Sequence, residues 1–468
     1  PRVVSVGAVT DQQEKADLYA ACDVFCMPSE AESFGIVYIE AWQHRKPVVG
    51  LGLPALRELI LGCGGGLVAD RRSPDDVADL LIRLLGDKPM RLRMGERHDD
   101  DRRPDRGALR LTPIDCDGRE ELMGMRKVVI TGAAGFIGAN AAAALMQDGR
   151  QVVGCDNLSR PGCTHNLDWL EGMGGAFAFT HVDLRCAQNV SDLLRAHRDA
   201  EAVLHLAGQV AVTTSVADPR TDFDVNALGT LNLLEAVRAH CPEALVLYSS
   251  TNKVYGNMTE AAVEVRDGRY AYSDHPDGIG EDWPLDFHSP YGCSKGAADQ
   301  YVRDYARIYG LRTVVLRQSC IYGTRQFGIE DQGWVAWFVI ATILGRPMTI
   351  YGDGMQVRDI LWIADLIGLY RAAIARADTM AGAIYNVGGG PRNTLSLNEL
   401  VGILSDLSGR QIRPEHAEWR PGDQRVFVAD VRKAGRELGW APTVQPEQGV
   451  RLLWDWVSAN RDLLEAVL

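Results

Sequence analysis

The 468-residue chain is long for one domain and gives enough sequence for two or three. Its hydrophobic fraction of 46% and charged fraction of 24% are ordinary for a globular enzyme. The formal net charge of −13 gives no electrostatic reason to bind nucleic acid or an anionic membrane surface, and no apolar run approaches the roughly 20 residues of a membrane span. With no signal peptide, no Cys-x-x-Cys pair and no histidine spacing typical of a metal site, we expect a cytoplasmic protein without a metal.

Residues 1–95 alternate between short strands and helices. Strands are predicted at residues 3–6, 24–27 and 47–50, and helices at residues 16–22, 36–43 and 75–85. The last of these helices places Val77, Leu80 and Leu84 on one face. Because short strands separated by helices form parallel sheets, we expect an α/β unit here.

A change of composition after residue 95 marks a joint between domains. Residues 96–106 are dense in both charges and have no apolar period, which predicts a solvated linker over 96–124. Met125 then begins a new hydrophobic strand, and the remaining chain is long enough for a two-lobed α/β enzyme. We expect a nucleotide-binding domain at 125–316 and mainly a substrate-binding lobe at 317–468.

A glycine-rich turn follows the first strand of this second part. The strand at 128–131 runs into Gly132, Gly135 and Gly138, and a helix of small residues follows at 139–145. Gly132 permits a tight turn, Gly135 lets the backbone approach a pyrophosphate, and Gly138 lets helix and strand pack closely. The helix N-terminus also offers N–H groups and a favourable dipole to phosphates. This strand–turn–helix context predicts a doubly wound, Rossmann-type parallel sheet with a dinucleotide site.

The residues that follow indicate which dinucleotide binds. A second strand at 151–155 ends at Asp156, whose carboxylate would bind the adenosine ribose and repel a 2′-phosphate, which favours NAD over NADP. Asp183, at the end of a third strand, is placed to meet adenine, and a fourth strand at 203–208 ends in small residues that would face the cofactor. The predicted NAD-binding residues are Gly132, Gly135, Phe136, Ile137, Gly138, Asp156, Asn157, Asp183, Leu184, Leu206, Ala207, Tyr291 and Lys295.

Tyr291 and Lys295 begin a later helix, and their four-residue spacing puts them on one face. The Tyr291 phenol could act as a base if its pKa fell from about 10 toward neutrality, which takes about 4 kcal/mol. An ammonium at about 4 Å supplies energy of that order, and a bound nicotinamide cation would add to it. Thr251, which follows a buried strand, would hold the substrate hydroxyl. Together with the NAD site, these residues predict the catalytic set Thr251, Tyr291 and Lys295.

Residues 125–468 resemble the extended short-chain dehydrogenase/reductase superfamily of nucleotide-sugar epimerases and dehydratases, and within it the CDP-paratose/CDP-tyvelose 2-epimerases. The segments that carry the resemblance are residues 249–256, 285–300, 325–328, 331–335 and 423–430. The resemblance implies the same catalytic set, Thr251, Tyr291 and Lys295. Sugar dehydratases of this superfamily follow the equivalent threonine with an Asp-Glu pair, whereas Asn252-Lys253 stands here, so elimination of water is not expected.

The implied reaction is transient oxidation at carbon 2 of the sugar, which would interconvert CDP-paratose and CDP-tyvelose with NAD regenerated in each cycle. Arg358 and Arg420 match arginines that hold the substrate diphosphate in related epimerases, and Arg425 is a third candidate. A homo-oligomer is expected, and residues 257–279 are expected to form a long loop near the sugar. Three alternatives remain: a 4-epimerase or other oxidoreductase of nucleotide sugars, an inactive NAD-binding scaffold, and a bifunctional glycosyltransferase–epimerase.

Residues 1–95 resemble part of the C-terminal lobe of retaining two-lobed glycosyltransferases. The resemblance rests on residues 32–40, which carry two glutamates separated by seven residues, and on the flanking segments 19–25 and 46–49. It implies that Glu40 contacts the ribose of a nucleotide sugar and that the Phe34-Gly35 turn approaches its phosphates. Because the acceptor-binding lobe is missing, we expect no transferase activity. Three interpretations stay open for this part: a remnant of a gene fusion, a structural or partner-docking module, and half of an enzyme that another chain completes. We favour the remnant, because the linker is irregular and Met125 would suit an independent start.

Overall fold

A computed structural model describes residues 12–27, 36–51, 60, 65–69, 73–96, 126–420 and 423–468. The chain divides into two compact units, Pro1–Pro113 and Ile114–Leu468. The strand predicted at residues 3–6, the Phe34-Gly35 turn and all but the first residue of the predicted linker lie outside the described residues.

The first unit contains a small parallel sheet. Its strands are β1 (Phe25–Met27), β2 (Val48–Leu51) and β3 (Gly66–Ala69), hydrogen-bonded in that order, and its helices are α1 (Gln12–Ala21), α2 (Ile36–Gln43), α3 (Pro74–Gly86) and α4 (Lys88–Glu96). Tyr38, Trp42, Val48 and Ile60 pack together as its core. These elements confirm the α/β architecture predicted for this part of the chain.

The second unit has fifteen described strands and thirteen described α-helices. Its strands are β4 (Lys127–Thr131), β5 (Gln151–Asp156), β6 (Phe177–His181), β7 (Ala200–His205), β8 (Leu245–Thr251), β9 (Val263–Arg266), β10 (Arg269–Tyr272), β11 (Thr313–Gln318), β12 (Cys320–Tyr322), β13 (Thr349–Tyr351), β14 (Val357–Trp362), β15 (Ala383–Val387), β16 (Thr394–Ser396), β17 (Glu415–Ala417) and β18 (Val426–Phe427). Its α-helices are α5 (Phe136–Gln147), α6 (Cys163–Gly172), α7 (Ala187–Ala196), α8 (Val212–Ala217), α9 (Pro219–Phe223), α10 (Gly229–His240), α11 (Ser289–Tyr309), α12 (Trp334–Leu344), α13 (Ile363–Ile374), α14 (Leu397–Ser408), α15 (Arg432–Leu438), α16 (Pro446–Ala459) and α17 (Arg461–Val467).

Seven parallel strands form the large sheet of this unit, in the order β15-β11-β8-β7-β4-β5-β6. The strand order reverses beside β4, because the chain first builds β5 and β6 on one side and then β7 and β8 on the other. Ligands of such sheets bind outside the carboxyl ends of the strands at this switch point. The order confirms the predicted Rossmann-type, doubly wound fold.

Apolar packing covers both faces of the large sheet. On β4, Val128 and Ile130 belong to one hydrophobic cluster, whereas the intervening Val129 belongs to another. Successive strand residues point to opposite faces, so a strand buried on both sides reads as a continuous apolar run. Helices on the two sides thus fix the position of the carboxyl end of β4, where the glycine-rich turn begins.

The C-terminal part of the chain builds smaller sheets. Strands β12, β14 and β16 are neighbours, β18 also pairs with β14, and β13 pairs with β17. The domain boundary expected at residue 317 falls inside β11, a strand of the large sheet. The chain then enters the smaller sheets and returns to the large sheet at β15. No described helix is long and apolar enough to cross a bilayer.

The segment 257–279, expected to be a loop, contains a β-hairpin. Strands β9 and β10 pair antiparallel around Asp267 and Gly268, whose φ angles are 51° and 77°. An Asp-Gly pair with positive φ at both positions is the signature of a tight hairpin turn, and this signal was present in the sequence. The expectation of a loop was therefore wrong.

Candidate active site

A cleft of about 940 Å³ extends along the carboxyl ends of the central strands. It brings together many of the residues predicted from the sequence: Gly132, Gly135, Phe136, Ile137, Gly138, Leu206, Thr251, Tyr291, Lys295, Arg358 and Arg420. Asp156, Asn157, Asp183, Leu184, Ala207 and Arg425 are not among the lining residues. One cavity thus connects the glycine-rich turn to helix α11, which carries Tyr291 and Lys295, and to two of the three predicted phosphate-binding arginines.

The glycine-rich turn has no room for side chains at two of its three glycines. A Cβ atom at Gly138 would lie 2.0 Å from the carbonyl oxygen of Gly132, and one at Gly132, where φ is 72°, would lie 2.7 Å from the nitrogen of Ala207. Helix α5 then begins at Phe136, and its N-cap residue Gly135 has no side chain to cap it, so the N–H groups of the first turn remain available to a ligand. Such a turn fits the pyrophosphate of a dinucleotide.

Asp156 is hydrogen-bonded to the backbone on both sides of it. Its carboxylate accepts from the N–H of Ala134 at 3.2 Å and from that of Leu158 at 2.8 Å. Burial raises its pKa, and those hydrogen bonds lower it. Each carboxylate oxygen keeps a second lone pair, so the predicted contact with a ribose is compatible with these bonds.

Asp183 lies next to an exposed arginine. Its carboxylate accepts from the Arg185 side chain at 2.6 Å and from Asn157 Nδ2 at 3.2 Å. Hydrogen bonding to Arg185 lowers the pKa of Asp183 to about 2, so this residue is ionised at neutral pH. Leu184 is buried behind it.

Tyr291 is buried on helix α11 next to Thr251 of β8. Burial raises the pKa of Tyr291 to about 12, although hydrogen bonding with Thr251 and the charge of Arg160 act in the opposite direction. The protein by itself therefore does not lower the pKa of Tyr291 toward neutrality. The physical reason is that desolvation of the phenolate outweighs the nearby positive charge.

Lys295 is buried one helical turn after Tyr291. Its ammonium donates to the carbonyl oxygen of Ser249 at 2.5 Å and lies 4.4 Å from the centroid of the Tyr248 ring. Burial lowers the pKa of Lys295 to about 7, against the opposing effect of Asp299 and Asp222.

A buried polar network that contacts helix α11 was not predicted from the sequence. Asn226 donates to Asp222 at 3.2 Å and to Ser294 at 3.1 Å, and the Ser294 hydroxyl donates to Asp222. Asn226 lies in a π-helical turn, Asp224–Leu228, a feature that is frequent near functional sites. No local motif marks these residues, because the contacts to Ser294 join segments 68 and 72 positions apart.

Arg317 and Asp299 form a second buried pair beside the site. Arg317 Nε lies 3.0 Å from Asp299 Oδ2, and the two side chains are 2% and 0% exposed. The Ser250 hydroxyl, next to Thr251, donates to the same carboxylate oxygen at 2.7 Å. The pair therefore connects the end of β8 to the helix that carries Tyr291 and Lys295.

The two predicted phosphate-binding arginines that line the cleft are paired with carboxylates. Arg358 lies 2.6 Å from Asp423, and Arg420 lies 3.0 Å from Asp331 and stacks over the Tyr351 ring at 4.0 Å. Arg425, by contrast, is exposed and lies over the Tyr270 ring at 5.3 Å, outside the cleft.

In the first unit, Glu40 has two partners. Its carboxylate accepts from Lys15 Nζ at 2.8 Å and from the Tyr19 hydroxyl at 2.9 Å. Any ribose contact by Glu40, which the glycosyltransferase resemblance implies, would compete with these two bonds.

Comparison with known proteins gives two family matches. Residues 129–453 match the family described as GDP-mannose 4,6 dehydratase, and residues 2–100 match the family described as glycosyl transferases group 1. The chain is 46% identical over 338 residues to CDP-paratose 2-epimerase from Salmonella typhi, an alignment that covers 71% of this chain and 99% of that protein.

Solved structures agree with this assignment. UDP-glucose 4-epimerase from Thermus thermophilus, solved with NAD, is 32% identical, with a TM-score of 0.58 and coverage of 70% of this chain and 98% of that chain. UDP-glucuronic acid 4-epimerase from Bacillus cereus, solved with UDP-glucuronic acid and NAD, is 29% identical, with a TM-score of 0.62 and coverage of 71% and 99%. The chain therefore belongs to the NAD-dependent epimerase/dehydratase family, and within it to the nucleotide-sugar epimerases.

Proposed function

We propose that the protein interconverts CDP-paratose and CDP-tyvelose by transient oxidation at carbon 2 of the sugar. The observation that supports this most strongly is the single cleft that joins the glycine-rich turn, Tyr291 with Thr251, and the arginines Arg358 and Arg420. The choice of cytidine and of carbon 2 rests on the similarity to the Salmonella typhi enzyme.

Thr251 and Tyr291 handle the proton of the reacting hydroxyl. Thr251 orients the hydroxyl on carbon 2, and the phenolate of Tyr291 takes its proton as the hydride leaves the carbon. NAD, when bound, would supply the reversible hydride acceptor, so the reaction would have no net redox change. The 2-keto sugar then rotates in the cleft, so that carbon 2 receives the hydride on its other face. Tyr291 returns its proton to the oxygen, and carbon 2 carries the opposite configuration.

The residues that would hold NAD surround the glycine-rich turn. The N–H groups of helix α5 would bind the pyrophosphate, Asp156 and Asn157 would bind the adenosine ribose, and Asp183 would bind the adenine. Lys295 would hold the nicotinamide ribose beside Tyr291 while its positive charge favours the phenolate. Because the protein alone leaves the pKa of Tyr291 at about 12, we infer that activation of this phenol depends on the positive charge of the bound cofactor.

Arg358 and Arg420 would hold the substrate diphosphate. Planar guanidinium groups form bidentate hydrogen bonds with phosphate oxygens, and the substrate would replace Asp423 and Asp331 as their partners. Dehydration is not part of the proposed activity, because Asn252 and Lys253 stand where an acid/base pair of carboxylates would be needed.

For the division of the chain, we propose domains at 1–95, 125–316 and 317–468, with a linker at 96–124. The catalytic residues all belong to the second compact unit, Ile114–Leu468, so the epimerase activity should reside there. Loss of activity in a shortened chain of residues 125–468, beside an active full chain, would contradict this assignment. A glycosyl transfer assay on the full chain tests the bifunctional alternative.

We also propose that the protein is a homo-oligomer. Helices α9 and α11 pack together and leave Phe223, Tyr301 and Ile308 exposed by 52%, 48% and 65%. Large apolar side chains that stay exposed on adjacent helices are typical of a surface that a second copy covers.

The proposed reaction can be tested by NMR of the purified protein with CDP-tyvelose and no added NAD. Appearance of CDP-paratose would support the reaction, the substrate and a tightly held cofactor together. If CDP-tyvelose stays unchanged while UDP-glucose is converted to UDP-galactose, the protein is a 4-epimerase and the proposal is wrong.

A further inference from the structure

Lys253 stands apart from the other cations of the cleft. Arg160 donates to Gln332, Lys295 to Ser249, and Arg358 and Arg420 are paired with carboxylates. The Lys253 side chain also lines the cleft, yet the described residues provide its ammonium with no hydrogen bond and no ion pair. A cation held in a cleft without a partner indicates a site for a negatively charged or strongly polar ligand group.

The surroundings of Lys253 define where that group lies. Its backbone N–H donates to the Thr251 hydroxyl at 3.2 Å, so the residue is joined to the catalytic threonine. Burial and the charge of Arg358 lower the pKa of Lys253 to about 8, whereas Asp423 raises it, so the ammonium lies near the Arg358–Asp423 pair. The backbone of Lys253 is thus joined to Thr251, which would hold the reacting hydroxyl, and its ammonium lies near Arg358, which would hold the diphosphate.

The chemistry of a nucleotide sugar matches this arrangement. Carbon 2 is bonded to the anomeric carbon, which carries the phosphate, whereas carbon 4 lies on the far side of the ring. A cation joined to Thr251 and near Arg358 can therefore reach both the oxygen on carbon 2 and the phosphate next to the sugar. With the substrate bound, Arg358 and Lys253 face the negative charge together.

We propose that Lys253 is a further catalytic residue whose ammonium contacts the sugar-linked phosphate and the oxygen on carbon 2, and keeps the phosphate in place while the keto sugar turns over. This assignment rests on the proposed 2-epimerase function. An ammonium carries three rotatable donors on a flexible stem, so it can follow the oxygen through both ring orientations. A planar guanidinium at this position would hold the phosphate but would constrain the turning sugar.

Three variants test the proposal: Lys253→Met, which removes the charge, Lys253→Arg, which keeps it, and Lys127→Met as the matched control. Lys127 lies at the amino end of β4, away from the cleft, and pairs with Asp199 at 2.6 Å. For each protein we would measure the NAD content, the affinity for CDP by calorimetry, and kcat and KM for CDP-tyvelose.

Lys253→Met should keep its NAD, bind CDP about tenfold more weakly, and lose about 100-fold in kcat. Lys253→Arg should recover the CDP affinity but not kcat, and Lys127→Met should match the wild type. The CDP affinity of the wild type should also fall as the pH rises through about 8, where Lys253 loses its charge, and this fall should be absent from Lys253→Met.

CDP affinity and kcat of Lys253→Met within about twofold of the wild type would overturn the proposal. Weakened CDP binding with an unchanged kcat would overturn the catalytic role. A wild-type protein that binds CDP but leaves CDP-tyvelose unchanged contradicts the proposed function, and the calorimetric comparison still decides whether Lys253 contacts the phosphate. If the wild type binds UDP instead, the same comparison is made with UDP.

Discussion

The ammonium of Lys295 lies 2.5 Å from the carbonyl oxygen of Ser249, one helical turn along α11 from the phenol of Tyr291. This bond joins helix α11 to the end of β8, next to Thr251, and sets the position of the ammonium before any ligand binds. The same burial that allows this arrangement raises the pKa of Tyr291 to about 12 and lowers that of Lys295 to about 7. The fold of the protein alone therefore sets the positions of Tyr291 and Lys295, but it does not bring the pKa of Tyr291 toward neutrality.

Replacement of Tyr291 by phenylalanine should reduce turnover by about 10² to 10⁴-fold, because the proton acceptor is lost. The NAD content of the purified protein should stay unchanged, since the glycine-rich turn is untouched. Tyr309→Phe is the matched control, because that tyrosine lies at the exposed end of the same helix. Near-normal epimerisation by Tyr291→Phe would rule out its role as the base.

The NAD-free protein should become more stable relative to Lys295→Met as the pH rises from 7 to 10. The pKa of Lys295 is about 7 in the folded protein, compared with an ordinary value of 10.5, so between these limits the unfolded chain binds a proton that the native state lacks. Stability then increases with pH by up to about 1.4 kcal/mol per unit from this one group. Denaturant titrations of both proteins at several pH values would measure the slope, and parallel curves would show that the lysine is not desolvated.

Local patterns in the sequence predicted the elements that carry the site. The spacing of Gly132, Gly135 and Gly138 indicated the turn before helix α5, and alternation of short strands and helices indicated the parallel sheets. These features depend on residues close in the chain, where backbone conformation and packing period leave a direct signature. The Asp267-Gly268 hairpin had such a signature too, and it was missed.

Contacts between distant segments could not be predicted in the same way. The Arg358–Asp423 pair joins residues 65 positions apart, and the pKa of Tyr291 depends on how deeply the folded chain buries it. Lys253 was identified from the sequence only as the residue that replaces a dehydratase carboxylate. Its place near both Thr251 and Arg358 becomes visible only when β8 and β14 are both in position.

The buried pair of Arg317 and Asp299 should be essential for stability. Asp299→Ala would leave the guanidinium without its partner in a site that is 2% exposed, which costs about 3–5 kcal/mol of unfolding free energy. Replacement of both residues by apolar side chains, as in Asp299→Leu with Arg317→Met, should recover much of that loss. Urea unfolding of the single and double variants measures the coupling energy between the two residues. If the losses of unfolding free energy in the single variants add up to the loss in the double variant, Arg317 and Asp299 do not interact directly.

Arg358→Met should raise the KM for the nucleotide sugar by about tenfold or more, because a charged hydrogen bond to the diphosphate is lost. Arg425→Met should change KM by less than about twofold, since that side chain is exposed and lies outside the cleft. Steady-state kinetics of the two variants separates the arginines. Equal effects at the two positions would mean that the substrate reaches Arg425 as well.

The apolar surface of helices α9 and α11 should determine the oligomeric state. Phe223 and Tyr301 are 52% and 48% exposed, and replacing both by glutamate would place two like charges from each copy in one symmetric interface. Because these side chains contribute little to the core of the single chain, the variant should remain folded while it dissociates. Light scattering coupled to size exclusion measures the mass, and circular dichroism verifies the fold. A folded variant with the mass of the wild-type oligomer would locate the interface elsewhere, and a monomeric wild type would contradict the oligomer itself.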